Sequence, residues 1–165
     1  MSAQPTEERS VARAARPEGP RAGRKPRFNH VAMSVPADLL DERGRKDLCD
    51  FYSEVFGWAE LPTETVDRKK LVFGVHEVEQ FVFLIADDHP MTAPRMDHYG
   101  LSVGTEAELD DVLNKAKAYA AKDDRVDVID KTRDDHGMLA ITSIYIGYLL
   151  PMMVEIQWWD WKGSK

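Results

Sequence analysis

Asn29-His30-Val31-Ala32-Met33-Ser34-Val35 and Asp97-His98-Tyr99-Gly100-Leu101-Ser102-Val103 are one pattern written twice. Each reads Asn or Asp, His, apolar, small, apolar, Ser, Val, and alternates with period two, the signature of a half-buried strand. Val31, Met33 and Val35 share one face, as do Tyr99, Leu101 and Val103, and these faces are expected to pack on helices. The opposite faces carry His30, Ala32, Ser34 and His98, Gly100, Ser102. A histidine among small residues on one side of a strand points to a cavity, and the function is expected there.

The segments after the two strands repeat as well. After the first, an apolar stripe of Leu48, Phe51, Tyr52 and Val55 at helical spacing ends at Gly57, a left-handed helix stop. Strand-like segments then run over 58–64, 70–76 and 80–86, and a linker leads from Asp87 to Arg95. After the second, Thr105 and Glu108 form a capping box ahead of a helix with Leu109, Val112, Leu113, Ala116 and Ala120 on one side. Strands are expected over 126–132, 139–148 and 152–159. The chain thus reads strand, helix, three strands, twice over, and such repetition governs the fold.

The chain has 165 residues, 43% hydrophobic and 31% charged, enough for a domain with a real core. Its net charge is −7, unevenly spread: residues 1–27 hold seven Lys/Arg against three Glu, +4, which leaves −11 for the remainder. An acidic body argues against a nucleic-acid surface, which needs clustered cations. Residues 1–26, rich in Pro and Arg with almost no large apolar side chain, are expected to be a disordered tail, ahead of one domain over 27–165 with modules 27–90 and 95–160. The single cysteine, Cys49, excludes an internal disulfide and fits a reducing cytosol. No apolar run is long enough to span a membrane, and the start lacks the apolar centre of a secretory signal. The expectation is a cytoplasmic protein without nucleic-acid or membrane partners.

The last strand alternates too. With Val154, Ile156 and Trp158 against a helix, Met153, Glu155, Gln157 and Trp159 face the cavity, and at most one of Trp158 and Trp159 can floor it. A carboxylate in so apolar a strand is costly to bury unless it meets a cation. His30 and His98 are available beside it, and two imidazoles with one carboxylate bind divalent first-row metals while leaving positions open.

The paired modules, with His30 and His98 on the first strands and Glu155 on the last, resemble the vicinal oxygen chelate superfamily of glyoxalases, bleomycin-resistance proteins, epimerases and extradiol dioxygenases. Phe51-Tyr52-Ser53-Glu54-Val55-Phe56-Gly57-Trp58 is similar to its first-helix motif, and Ser143-Ile144-Tyr145 with Val154-Glu155-Ile156 to its final hairpin. The resemblance covers about residues 27–160. It implies an α+β fold in which two βαβββ modules form a curled mixed sheet around a central cup, paired within one chain or across a homodimer. Glyoxalase-like members usually add a fourth ligand on the last strand of the first module, and that position is Phe83 here, which cannot ligate. His30, His98 and Glu155 alone match the extradiol dioxygenases. The resemblance then implies Fe(II), with Mn(II) as the alternative, a catechol- or enediol-like substrate, and catalytic roles for His136 and Tyr145. The acid–base histidine of that branch has no counterpart, since its position falls near Gln80 or Phe81. The alternatives are a glyoxalase-like lyase or isomerase and a non-catalytic module that binds a drug or metabolite. The final turn, Tyr148-Leu149-Leu150-Pro151, is unusually apolar, which suggests a subunit contact or a pocket wall.

Overall fold

The computed structural model describes residues 28–61, 69–77 and 79–163, so the expected tail and part of the expected 58–64 strand lie outside the described residues. The first histidine stretch is β1 (His30–Val35), followed by α1 (Glu42–Phe56), β2 (Ala59–Glu60), β3 (Lys70–Gly74) and β4 (Phe81–Ala86). The second is β5 (His98–Val103), followed by α2 (Glu106–Ala120), β6 (Val126–Asp135), β7 (Leu139–Tyr148) and β8 (Met153–Trp161). This is the expected α+β fold of two βαβββ modules.

Each module forms its own four-stranded sheet, in the orders β1-β4-β3-β2 and β5-β8-β7-β6. β1 runs parallel to β4 and β5 parallel to β8 in the same register: Ala32 stands opposite Phe83 as Gly100 stands opposite Glu155. The alignment of Phe83 with Glu155 is therefore a structural equivalence. β1 and β5 are edge strands of their sheets.

Both helices are capped as the sequence dictates. Asp41 Oδ1 accepts the Gly44 N–H at 2.8 Å, and Gly57 closes α1 at φ 72°. Thr105 Oγ1 accepts the Glu108 N–H while Glu108 Oε2 accepts the Thr105 N–H. Leu48, Phe51, Tyr52 and Val55 turn inward from α1 and are buried. Phe51 stacks on Tyr148 at 4.2 Å and meets Tyr119 edge-on at 5.0 Å, so one core joins both modules. Burying each such side chain contributes about 1.5–3 kcal/mol. Polar contacts run along the same seam. Tyr52 donates to the Tyr148 carbonyl at 3.1 Å, and Arg125 bridges Asp47, Asp123 and the Tyr148 hydroxyl.

One strand runs longer than expected. β6 runs three residues past the expected Thr132, because Arg133 reaches Thr142 at 3.1 Å and Asp160 at 2.7 Å, knitting polar residues into the sheet. The apolar final turn, expected to be a subunit contact or a pocket wall, lays Leu149, Leu150 and Met152 against the core; Leu149 takes φ 58° and lines a pocket with Arg125. Core packing offsets the cost of the left-handed conformation.

Cys49 is half-buried with its Sγ 3.4 Å from Glu60 Oε2. Burial first, and then the Glu60 charge, push its thiol up to about 12. A raised thiol pKa keeps the reactive thiolate scarce until the pH nears that value. Modification by a disulfide reagent at pH 8 is expected to be at least about 100-fold slower in the folded protein than in denaturant. Equal rates would show that the thiol is not shielded.

Candidate metal centre

Glu155 sits in the middle of β8, between Gly100 of β5 and Tyr145 of β7. Its neighbours Val154 and Ile156 are core residues, so alternation sends its carboxylate to the opposite face, where it is 6% exposed. Gly100 makes the room: a Cβ there would lie 3.2 Å from Glu155 Oε2. His98, at the start of β5, approaches from the side, with Nε2 3.4 Å from the same oxygen. The Tyr145 ring meets the His98 ring edge-on at 5.1 Å. Partial burial, and then its hydrogen bond to Glu155 and that residue's charge, push the Tyr145 phenol upward in pKa.

The His98 tautomer is set by its other nitrogen. Nδ1 lies 2.7 Å from the Met96 carbonyl, which can only accept, so Nδ1 carries the proton. Nε2 then faces a carboxylate oxygen, with a lone pair turned toward it when the ring is neutral. Two such lone pairs face each other favourably only with a cation or a proton between them. The segment holding the Met96 carbonyl is itself fixed, since Arg95 grips Asp127 of β6 through both carboxylate oxygens at 2.6 and 2.7 Å. An imidazole with its far nitrogen engaged, beside a buried carboxylate, is a donor pair suited to a divalent metal.

The remaining expected residues are placed differently. His30 lies on the corresponding edge of the other sheet, exposed, hydrogen-bonded to Asn29 Oδ1 at 2.9 Å and stacked on Phe81 at 4.7 Å. Among the described residues no three of His, Cys, Asp and Glu come together as a metal-holding group, so one chain unites His98 and Glu155 but not His30. His136 occupies the exposed tip of the β6–β7 turn, its N–H bonded to the Leu139 carbonyl at 2.7 Å. Leu139 pairs with Trp161, which stands on the order of 20 Å along β8 from Glu155. The structure thus brings Tyr145 to the site but not His136.

The carboxylate face continues along β8. Because the strand runs to Trp161, both Trp159 and Trp161 share the Glu155 side, 43% and 56% exposed. With Gly100, Ser102 and Gln157 they line a trough of about 460 Å³. Trp158 turns the other way, under the Arg133 guanidinium. Alternation in the sequence places Gln157 and Trp159 on this face but gives them no role. Trp161 lies beyond the expected end of the strand, although the same period of two reaches it.

Gly100→Ala is expected to weaken Mn(II) binding by roughly 10-fold or more without removing a ligand, measured by calorimetric titration. The added methyl displaces Glu155 Oε2. Unchanged affinity would show that the carboxylate has space to spare.

This arrangement, two βαβββ modules in matched register, is a glyoxalase/bleomycin-resistance-type fold. Solved structures share it at low sequence identity. Fosfomycin resistance protein FosX from Listeria monocytogenes is 16% identical with a TM-score of 0.57, over 81% of this chain and 91% of that one. Lactoylglutathione lyase from Agrobacterium tumefaciens is 17% identical with a TM-score of 0.53, over 81% and 94%. FosX from Mesorhizobium loti is 13% identical with a TM-score of 0.55, over 81% and 92%. A mutant of the Listeria protein is described in complex with Mn(II) and 1S,2S-dihydroxypropylphosphonic acid. No protein-family model matches the sequence, and no curated protein matches it.

Proposed function

We propose that this chain is a divalent-metal-dependent enzyme acting on a small molecule that presents two neighbouring oxygens, and that it works as a homodimer. His98 and Glu155 of one copy would hold the metal together with His30 of a second copy. The observation that carries this is the His98 Nε2–Glu155 Oε2 approach at 3.4 Å with Nδ1 already engaged. The dimer is inferred from the groups one chain leaves apart. His30 and His98 stand on edge strands of separate sheets, and an open edge is a template for another strand. The His30-side face is apolar, with Val72, Phe81, Phe83 and Ile85 in register across it. It would supply the greasy half of a cup whose other half is polar.

Bound there, the metal would supply Lewis acidity and a template for the two oxygens. This chain's own groups would do the rest. Tyr145, its O–H engaged by Glu155, would accept a hydrogen bond from a substrate hydroxyl there. Gly100 and Ser102 would leave the substrate room, and Trp159 and Trp161 would wall the trough from water. Mn(II) and Fe(II) both suit two imidazoles and one carboxylate. The Mn(II) complex of the similarly folded FosX mutant, whose ligand is a vicinal diol, supports the choice of ion and of substrate class.

A finer reading, an extradiol-type dioxygenase using Fe(II) on a catechol, is favoured by Tyr145 at the carboxylate and by Phe83 at the corner where a fourth ligand would stand. The placement of His136 weighs against it, and the lyase and hydrolase readings share the same metal site. The test is anaerobic loading with Mn(II) or Fe(II), elemental analysis, and then oxygen uptake with catechol alongside turnover of hemithioacetals and epoxides. Metal without oxygen uptake would remove the dioxygenase. No metal from either solution would leave a binding module and overturn the enzyme.

A further inference from the structure

β8 sets Glu155, Gln157 and Trp159 in succession on one face of the sheet, and their side chains are joined in a line. Trp159 Nε1 lies 2.9 Å from Gln157 Oε1, and Gln157 Nε2 lies 3.0 Å from Glu155 Oε1. Chemistry fixes the direction of the amide. An indole nitrogen can only donate and an ionised carboxylate can only accept, so the Gln157 oxygen faces Trp159 and its NH2 faces Glu155. Ser143 Oγ, 3.5 Å from the same NH2, stands behind it. The other carboxylate oxygen, Oε2, is the one that faces His98 and the space left by Gly100.

We propose that Gln157 and Trp159 are positioning residues for the metal ligand Glu155. Trp159 sets the Gln157 amide, and the amide holds Oε1 so that Oε2 alone is offered beside His98. This rests on the metal-dependent reading above. A carboxylate free to rotate can offer either oxygen or both, and its ordering then opposes binding. Held by one oxygen beforehand, it binds through the other with its orientation already set, as hydrogen-bonded partners of metal ligands commonly arrange. The line also explains why a tryptophan 43% open to solvent directs its N–H along the strand toward Gln157.

The test is a double-mutant cycle on Mn(II) affinity, read from free Mn(II) by electron paramagnetic resonance, in wild type, Trp159→Phe, Gln157→Leu and the double variant. Gln157→Leu is expected to weaken binding roughly 10- to 100-fold. Trp159→Phe, which keeps a ring and loses only the donor, is expected to weaken it by a smaller factor. In the Gln157→Leu background the tryptophan change should add nothing, because its effect passes through the amide. A metal-free readout accompanies it: the Trp159 indole N–H resonance, identified by its loss in Trp159→Phe, should move upfield in Gln157→Leu. Wild-type affinity in Trp159→Phe, the same loss in both backgrounds, or an unmoved resonance would overturn the positioning role while leaving the metal site standing. A wild-type protein that binds neither Mn(II) nor Fe(II) would overturn both.

Discussion

His98→Ala is expected to abolish metal binding while leaving the fold intact. The imidazole is the metal-ligating nitrogen that the described structure places beside Glu155, at 3.4 Å. Without it the shared site keeps only the Glu155 carboxylate and the His30 of a second copy, and two donors hold a first-row metal poorly against water. Metal content after Mn(II) or Fe(II) loading and desalting should fall from near one equivalent per chain to background. The side chain is 35% exposed, and its hydrogen bond in the described structure is to the Met96 carbonyl. Loss of stability should therefore stay within about 1 kcal/mol. Coincident loss of metal and of the thermal transition would mean that His98 serves the fold instead. A variant that keeps its metal would remove His98 from the site.

The second large effect concerns stability. Gly44 lies in the first turn of α1, where its N–H meets the Asp41 cap. A Cβ there would come within 2.5 Å of the Leu39 carbonyl oxygen and 2.8 Å of that of Asp38. Both belong to the short 3-10 turn Ala37–Leu40, which seats the fully buried Leu40. These are backbone atoms, so relief means shifting the turn or breaking the cap. Helix propensity alone would make alanine the better residue by about 1 kcal/mol. Overpacking should reverse that sign and cost roughly 2–3 kcal/mol, lowering Tm by on the order of 10 °C. A Tm equal to or above wild type would show that the turn yields without cost.

Much of this was legible in local pattern. The two histidine strands announce themselves because one face is buried and period two then fixes every side chain. Thr105 with Glu108, and Gly57, mark helix ends because caps are short-range chemistry. Phe83 could be matched to Glu155 because repetition of a module preserves register. The features that escaped depend on contacts distant in sequence. The extension of β6 to Asp135 needs Asp160 beside Arg133. The separation of His30 from His98 and Glu155 is a matter of how two sheets pack, on which strand alternation is silent. His136 illustrates the hazard of spacing: its distance from Glu155 along the chain matched a family pattern, but a two-stranded ribbon carries it to a remote tip. The role of Gln157 could not be read from alternation, which gives a face and no hydrogen-bond direction.

Complementation between two variants distinguishes a site shared between copies from one held within a single chain. Chains carrying His30→Ala and His98→Ala, each with a different tag, would be co-expressed and the mixed dimer purified through both tags. In the mixed dimer one shared site carries both substitutions and the other carries neither. The expected result is half the wild-type metal content, bound with wild-type affinity, while each variant alone binds none. A mixed dimer devoid of metal, or a His30→Ala protein that binds metal as wild type does, would contradict it.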